Sequence, residues 1–110
     1  MGPRVLEQLS GARADTAKIQ IKNIEAALDL YRLDAGRYPS QSEGLQALLE
    51  KPASVTRWRG PYLKSAEGLL DPWGERYRYS KESGKTSFEI LSLGADKAEG
   101  GDGENADIRN

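Results

Sequence analysis

The sequence predicts an α+β fold in which a long N-terminal helix packs on a small antiparallel sheet, with a short second helix between them. Three observations carry this. Residues 5–35 contain no proline and one glycine, Gly11, and consist mostly of good helix formers. The stretch "ERYRYSKESGKTSFEILSLG" alternates polar and apolar residues around a turn-like centre. A chain of 110 residues with 37% hydrophobic and 30% charged residues suits one small domain with a modest core. The expected organisation is a single unit over 1–110: the long helix over 1–36, a short helix and loop over 37–74, and the hairpin with the C-terminal segment over 75–110.

In the long helix, Leu6, Ala17, Ile21, Ile24, Leu28, Tyr31 and Ala35 fall on one stripe at about 100° per residue and form the expected core face. A second apolar line, Ile19, Ala26, Leu30 and Leu33, runs along nearly the opposite side. It reads either as a face for a second neighbour or as scattered exposed apolar residues. Gly36 suits a helix C-cap, and Pro39 prevents continuation. In "PSQSEGLQALLEKP", Ser40 or Ser42 can cap a short helix with Glu43 in its first turn. Leu45, Leu48 and Leu49 form its apolar face and Pro52 ends it.

Residues 53–74 mix Gly60, Pro61, Gly68, Pro72 and Gly74 with Trp58 and Trp73, which reads as an ordered loop held down by aromatics. Trp58, Tyr62 and Trp73 beside Arg57 and Arg59 have two readings, a stacking platform or core filling, and core filling is the commoner use. In the hairpin, Tyr77 and Tyr79 point one way and Arg76 and Arg78 the other. Phe88, Ile90 and Ser92 oppose Glu89 and Leu91, and "KESGK" supplies the turn.

Cysteine and histidine are absent, which excludes disulfides, thiolate nucleophiles, histidine triads and zinc sites of the usual kind. Any metal must be bound by oxygen. The net charge of −1 gives no reason to expect nucleic acid as a partner. Residues 92–110, however, hold Asp96, Glu99, Asp102, Glu104 and Asp107 against Lys97 and Arg109, so they are net −3 while the rest is net +2. "DKAEGGDGENAD" supplies the carboxylate, amide and backbone oxygens that calcium prefers, with glycines to let the chain turn. It is not an EF-hand, because Ala98 and Gly100 stand at the third and fifth positions of a loop that starts at Asp96. From the residues alone, an ion-binding loop and a solvated tail both remain open. A phosphate site is disfavoured because no helix or lysine comes after "GGDG". A glycosidase-like carboxylate pair would need a walled cleft, which a chain this short has little material to build.

The blocks "ALDLYRLDAGRYPSQSEGLQALLEKP", "GPYLK", "DPWGERYRY" and "LSLGADKAEGGDGENADI" resemble, in order and spacing, the major pseudopilins of type II secretion systems. The likeness covers nearly the whole chain from Asp15 onward. It implies a type IV pilin-like fold with an ordered C-terminal loop. It also implies a structural subunit without enzymatic activity, polymerising with itself into the periplasmic pseudopilus that exports folded proteins. The expected partners are minor pseudopilins, the inner-membrane assembly platform and, for a full-length precursor, a prepilin peptidase. Membrane contact is expected only through an apolar N-terminal segment that would precede "MGPRV". The resemblance further implies a structural calcium ion held by Asp96 and Asp107, with the Leu93 carbonyl, Asp102 and Asn105 as further ligands. A pilin-like adhesive subunit is the alternative.

Overall fold

The computed structural model describes residues 3–82, 87–94 and 107–110, with helix side chains described from residue 12 onward. Helix α1 spans Pro3–Ala35. Pro3 sits in the first turn, where a missing N–H costs nothing. Gly36 ends the helix as expected: its φ of +86° is open to glycine at little cost, and its N–H donates to the Arg32 carbonyl at 2.8 Å. At 1.5 Å per residue the helix is about 50 Å long, close to the molecule's longest dimension of 55 Å.

The predicted stripe is the core face. Ala17, Ile21, Ile24, Leu28 and Tyr31 are buried, Ala27 joins them from the edge of the stripe, and Ala35 packs against the cluster half-buried. Leu6 lies outside the described side chains. The second line is different: Ala26 is exposed, and Ile19, Leu30 and Leu33 are 60%, 51% and 80% exposed.

After the helix the chain doubles back through a reciprocal pair of bonds. The Ser40 N–H donates to Glu43 Oε1 at 2.8 Å, and the Glu43 N–H donates to Ser40 Oγ at 3.3 Å. Ser40, rather than Ser42, makes these bonds, which close the turn before the short helix; the N-cap position of the helix itself is Glu43, without a side-chain cap bond. That helix is not the expected α-helix but a 3-10 helix over Gly44–Leu48. Gly44 adopts a φ of +61°, which breaks helical continuity with the preceding turn. Its apolar face still forms, since Leu45, Ala47 and Leu48 are buried. Arg37 clamps this turn with two bonds to the Glu43 carboxylate, at 2.6 and 3.0 Å, while Ser54 Oγ donates to the same group at 2.6 Å.

The aromatic loop is fixed by side-chain and backbone bonds. Trp58 Nε1 donates to the Ala47 carbonyl at 2.9 Å, and the Tyr62 N–H to that of Leu48 at 2.8 Å. Tyr62 stands edge-on to both Trp58 and Tyr31. A β-carbon on Gly60 would lie 2.5 Å from the Trp58 ring, so only glycine lets the chain pass there. A second 3-10 helix, Ala66–Leu69, buries Leu69.

The sheet has three antiparallel strands in the order β1-β2-β3: β1 at Arg78–Ser80, β2 at Glu89–Ser92 and β3 at Ile108–Arg109. The alternation holds, with Tyr77, Tyr79, Ile90 and Ser92 buried and Arg76 and Arg78 exposed. The predicted turn includes residues 83–86, which lie outside the described residues. The third strand was not expected. Ile108 is a strand residue facing the core. Tyr77 Oη donates to Gln20 Oε1 at 2.6 Å and Tyr79 Oη to the Pro39 carbonyl at 2.6 Å. Burial raises the pKa of both phenols, so both stay neutral donors.

Two measurements check these contacts. Ile24→Ala should cost about 2 to 5 kcal/mol in denaturant unfolding, whereas Ile19→Ala should stay within about 0.5 kcal/mol of the parent. The Arg37 bonds, ahead of those from Ser40 and Ser54, hold the Glu43 carboxyl well below the usual carboxylate range. A depressed folded-state pKa means that this stabilisation is complete above the unfolded value of about 4.3 and fades as pH falls through the folded value. Glu43→Gln should therefore lose about 1 to 2 kcal/mol at pH 7, allowing for the partly exposed Arg37. That difference should shrink steadily in melts taken below pH 4.

Candidate functional site

The acidic C-terminal segment leaves the sheet at the end of β2 and returns at the start of β3. Ser92 pairs with Ile108, so the next residues outward, Leu93 and Asp107, stand on opposite sides of the segment's mouth. Two of the five predicted ligand residues are thus brought together by strand pairing. Leu93 is buried. The Asp107 side chain is 11% exposed, and its Oδ2 lies 3.9 Å from the Arg109 guanidinium. Asp96, Asp102 and Asn105 lie outside the described residues, and among the described residues no three acidic side chains cluster.

The mouth is anchored by a residue that sequence patterning does not single out. Asp71 is 5% exposed. Its Oδ1 accepts the N–H groups of Trp73 at 3.0 Å and Glu75 at 2.8 Å, closing the "DPWGE" turn, and its Oδ2 accepts the Ser92 hydroxyl at 2.7 Å. Ser92 Oγ in turn accepts the Gly94 N–H at 3.3 Å. One buried carboxylate therefore links the turn before β1 to the last residues before the acidic segment. The signal was available in "DPWG": an aspartate two residues before a Trp-Gly pair is a side-chain-to-backbone turn former.

The donor chemistry at the mouth fits a hard cation. It offers a carboxylate largely withdrawn from water and the end of a carbonyl-bearing strand, at the neck of a segment rich in carboxylates and glycines. Leu93 would contribute its backbone oxygen and Asp107 its side chain.

The other candidates resolve differently. Trp58, Tyr62 and Trp73 are half-buried against the core, and Tyr62 Oη donates to Asp34 Oδ2 at 2.6 Å. Their rings fill space, in keeping with the commoner use of such residues. On α1, Asp29 accepts the Tyr38 hydroxyl at 2.8 Å, and the Arg32 guanidinium lies 5.2 Å from the centre of the Tyr38 ring. These two charges are thus engaged by the loop after the helix. Ile19, Leu30 and Leu33 keep their apolar line open to solvent. No helix among the described residues is long and apolar enough to cross a membrane.

Comparison with known proteins gives one consistent result. The model of the family described as type II secretion system protein G matches residues 4–110. The type II secretion system core protein G of Pseudomonas aeruginosa is 43% identical over 98% of this chain and 78% of its own length. That of Vibrio cholerae is 39% identical, over 98% and 75%. A crystal structure of the major pseudopilin from the type 2 secretion system of enterohaemorrhagic Escherichia coli superposes with a TM-score of 0.78 at 28% identity, covering 100% of this chain and 96% of that one.

The Asp71 network yields a direct test. Asp71→Ala removes three bonds to a buried carboxylate and should cost about 3 kcal/mol in unfolding, with Ser92→Ala costing about 1 kcal/mol. Equal melting of Asp71→Ala and the parent would refute the anchoring role.

Proposed function

The chain belongs to the family of type II secretion system protein G, and from that premise we propose that its copies stack into the periplasmic pseudopilus, a filament that drives folded proteins across the outer membrane. As a member of that family it is a structural subunit of the secretion system, and the family is not one of enzymes. The observation that carries the filament reading is the open apolar line of α1, with Ile19 60% and Leu33 80% exposed. A chain of this size rarely leaves such a line on one helix without a partner for it. Contact between different faces of identical copies, repeated with a rotation that does not close, builds an open filament rather than a ring.

In this reading a calcium ion is the structural cofactor of the C-terminal segment. Its ligands are Asp96, Asp107 and the Leu93 carbonyl, with Asp102 and Asn105 completing the set. When bound, the ion supplies positive charge that offsets repulsion among the carboxylates of residues 92–110. The protein's own contribution is the neck. The Ser92–Ile108 pair and the Asp71–Ser92 bond hold Leu93 and Asp107 in place, which lowers the ordering cost of binding. The expected partners are further copies of the chain, minor pseudopilins and the inner-membrane assembly platform. A full-length precursor would meet a prepilin peptidase and be anchored in the inner membrane by an apolar segment preceding these residues.

Calcium at about 100 times its dissociation constant should stabilise the chain by about 2.7 kcal/mol over chelator. The double variant Asp96→Ala, Asp107→Ala should show no calcium-dependent shift and should fail to support secretion. Melting of the parent that is identical in calcium and in chelator would rule out the ion. Secretion that survives Leu33→Glu combined with Ile19→Glu, in a chain that still folds, would remove the α1 line from the filament.

A further inference from the structure

We propose that Gln41 guards the outer edge of β1 and so denies that edge to a strand from a second copy of this chain. In an antiparallel ladder, alternate residues direct their backbone groups toward the neighbouring strand or away from it. β1 is an edge strand, with β2 on one side only. The Tyr79 carbonyl, directed away from β2, and the N–H of Lys81, just past the strand's end, are both satisfied by one side-chain amide. Gln41 Nε2 donates to the Tyr79 carbonyl at 3.1 Å, and the Lys81 N–H donates to Gln41 Oε1 at 2.8 Å. This two-point pairing is what a residue of an added parallel strand would make with the same two groups.

The amide is held where it is needed. Gln41 comes directly after Ser40, whose N–H and hydroxyl are both engaged by Glu43, and that carboxylate is clamped by Arg37 and Ser54. The guard is thus mounted on a rigid turn 40 residues away in the chain. Charge acts in the same direction. Arg78 is exposed on β1, so a second copy pairing parallel and in register along this edge would bring arginines of the two copies together. An open backbone edge is a standing template for pairing between identical chains. A protein whose copies gather closely through a helix face has particular need to close its strand edges. The guard itself is read on the isolated chain, so it stands or falls separately from the filament.

The test compares Gln41→Ala and Gln41→Glu with the parent chain by amide hydrogen exchange, sedimentation and infrared spectroscopy. In Gln41→Ala the Lys81 amide should exchange at least about tenfold faster. The Tyr77 amide, bonded to the Leu69 carbonyl at 2.9 Å, should keep its protection as the internal reference. The same variant should associate with rising concentration and develop an infrared band of intermolecular sheet. Gln41→Glu keeps an acceptor for Lys81 and adds repulsion between copies, so it should retain Lys81 protection and stay monomeric. A folded Gln41→Ala chain that keeps Lys81 protected, or that sediments like the parent at every concentration, overturns the proposal. Should Gln41→Ala fail to fold, rapid Lys81 exchange in folded Gln41→Glu overturns it equally.

Discussion

The burial of Ala17, Ile21, Ile24, Leu28 and Tyr31 against the sheet and the loop before it is the contact on which the rest of the molecule depends. A chain of 110 residues buries a smaller share of its unfolded surface than a larger domain does, and no disulfide assists it. The helix gathers the short remaining elements around one stripe. Leu45 and Leu48 come from a 3-10 turn, Leu69 from another, and Tyr77, Tyr79, Ile90 and Ile108 from the sheet and its edge. Each is too short to be stable alone, and each supplies one or two side chains to a surface the helix presents ready-made.

Short elements leave many backbone groups without a regular partner, and polar side chains take over that work. The sheet strands hold three, four and two residues. Gln41 closes the outer side of β1. Asn110 extends the pairing of β3 along β2: its backbone N–H donates to the Ile90 carbonyl while its side-chain amide accepts the Ile90 N–H and donates to the Phe88 carbonyl. Asp71 closes the turn before β1 and reaches across to Ser92. A buried polar group left unpaired bears the full cost of leaving water, so these few amides and carboxylates carry more structural weight than their number suggests.

The same division of labour shapes the functional regions. The acidic segment is held at its two ends by strand pairing and by a buried carboxylate outside it, so its own residues are free to be chosen for charge rather than for packing. The helix keeps one face for the core and leaves Ile19, Leu30 and Leu33 apolar and open on the other. In the proposed filament this separation has a use, because contacts on the outer line can change without disturbing the inner one.

The sequence by itself determined the helix, its stop at Gly36, its core stripe and the alternation of the hairpin. All of these are local periodicities or single-residue backbone preferences. It also marked the acidic segment as the densest set of side-chain oxygens in the chain, since charge and composition need no geometry to be seen. Tertiary structure decided the rest. Gly44 turned an expected α-helix into a 3-10 turn, because the loop has to reverse direction within a few residues. Ile108 became a strand only because β2 had an open side for it to pair with. Asp71 and Gln41 acquired their roles from partners 21 and 40 residues away, and a pairing over such a distance leaves no period in the sequence from which it could be read.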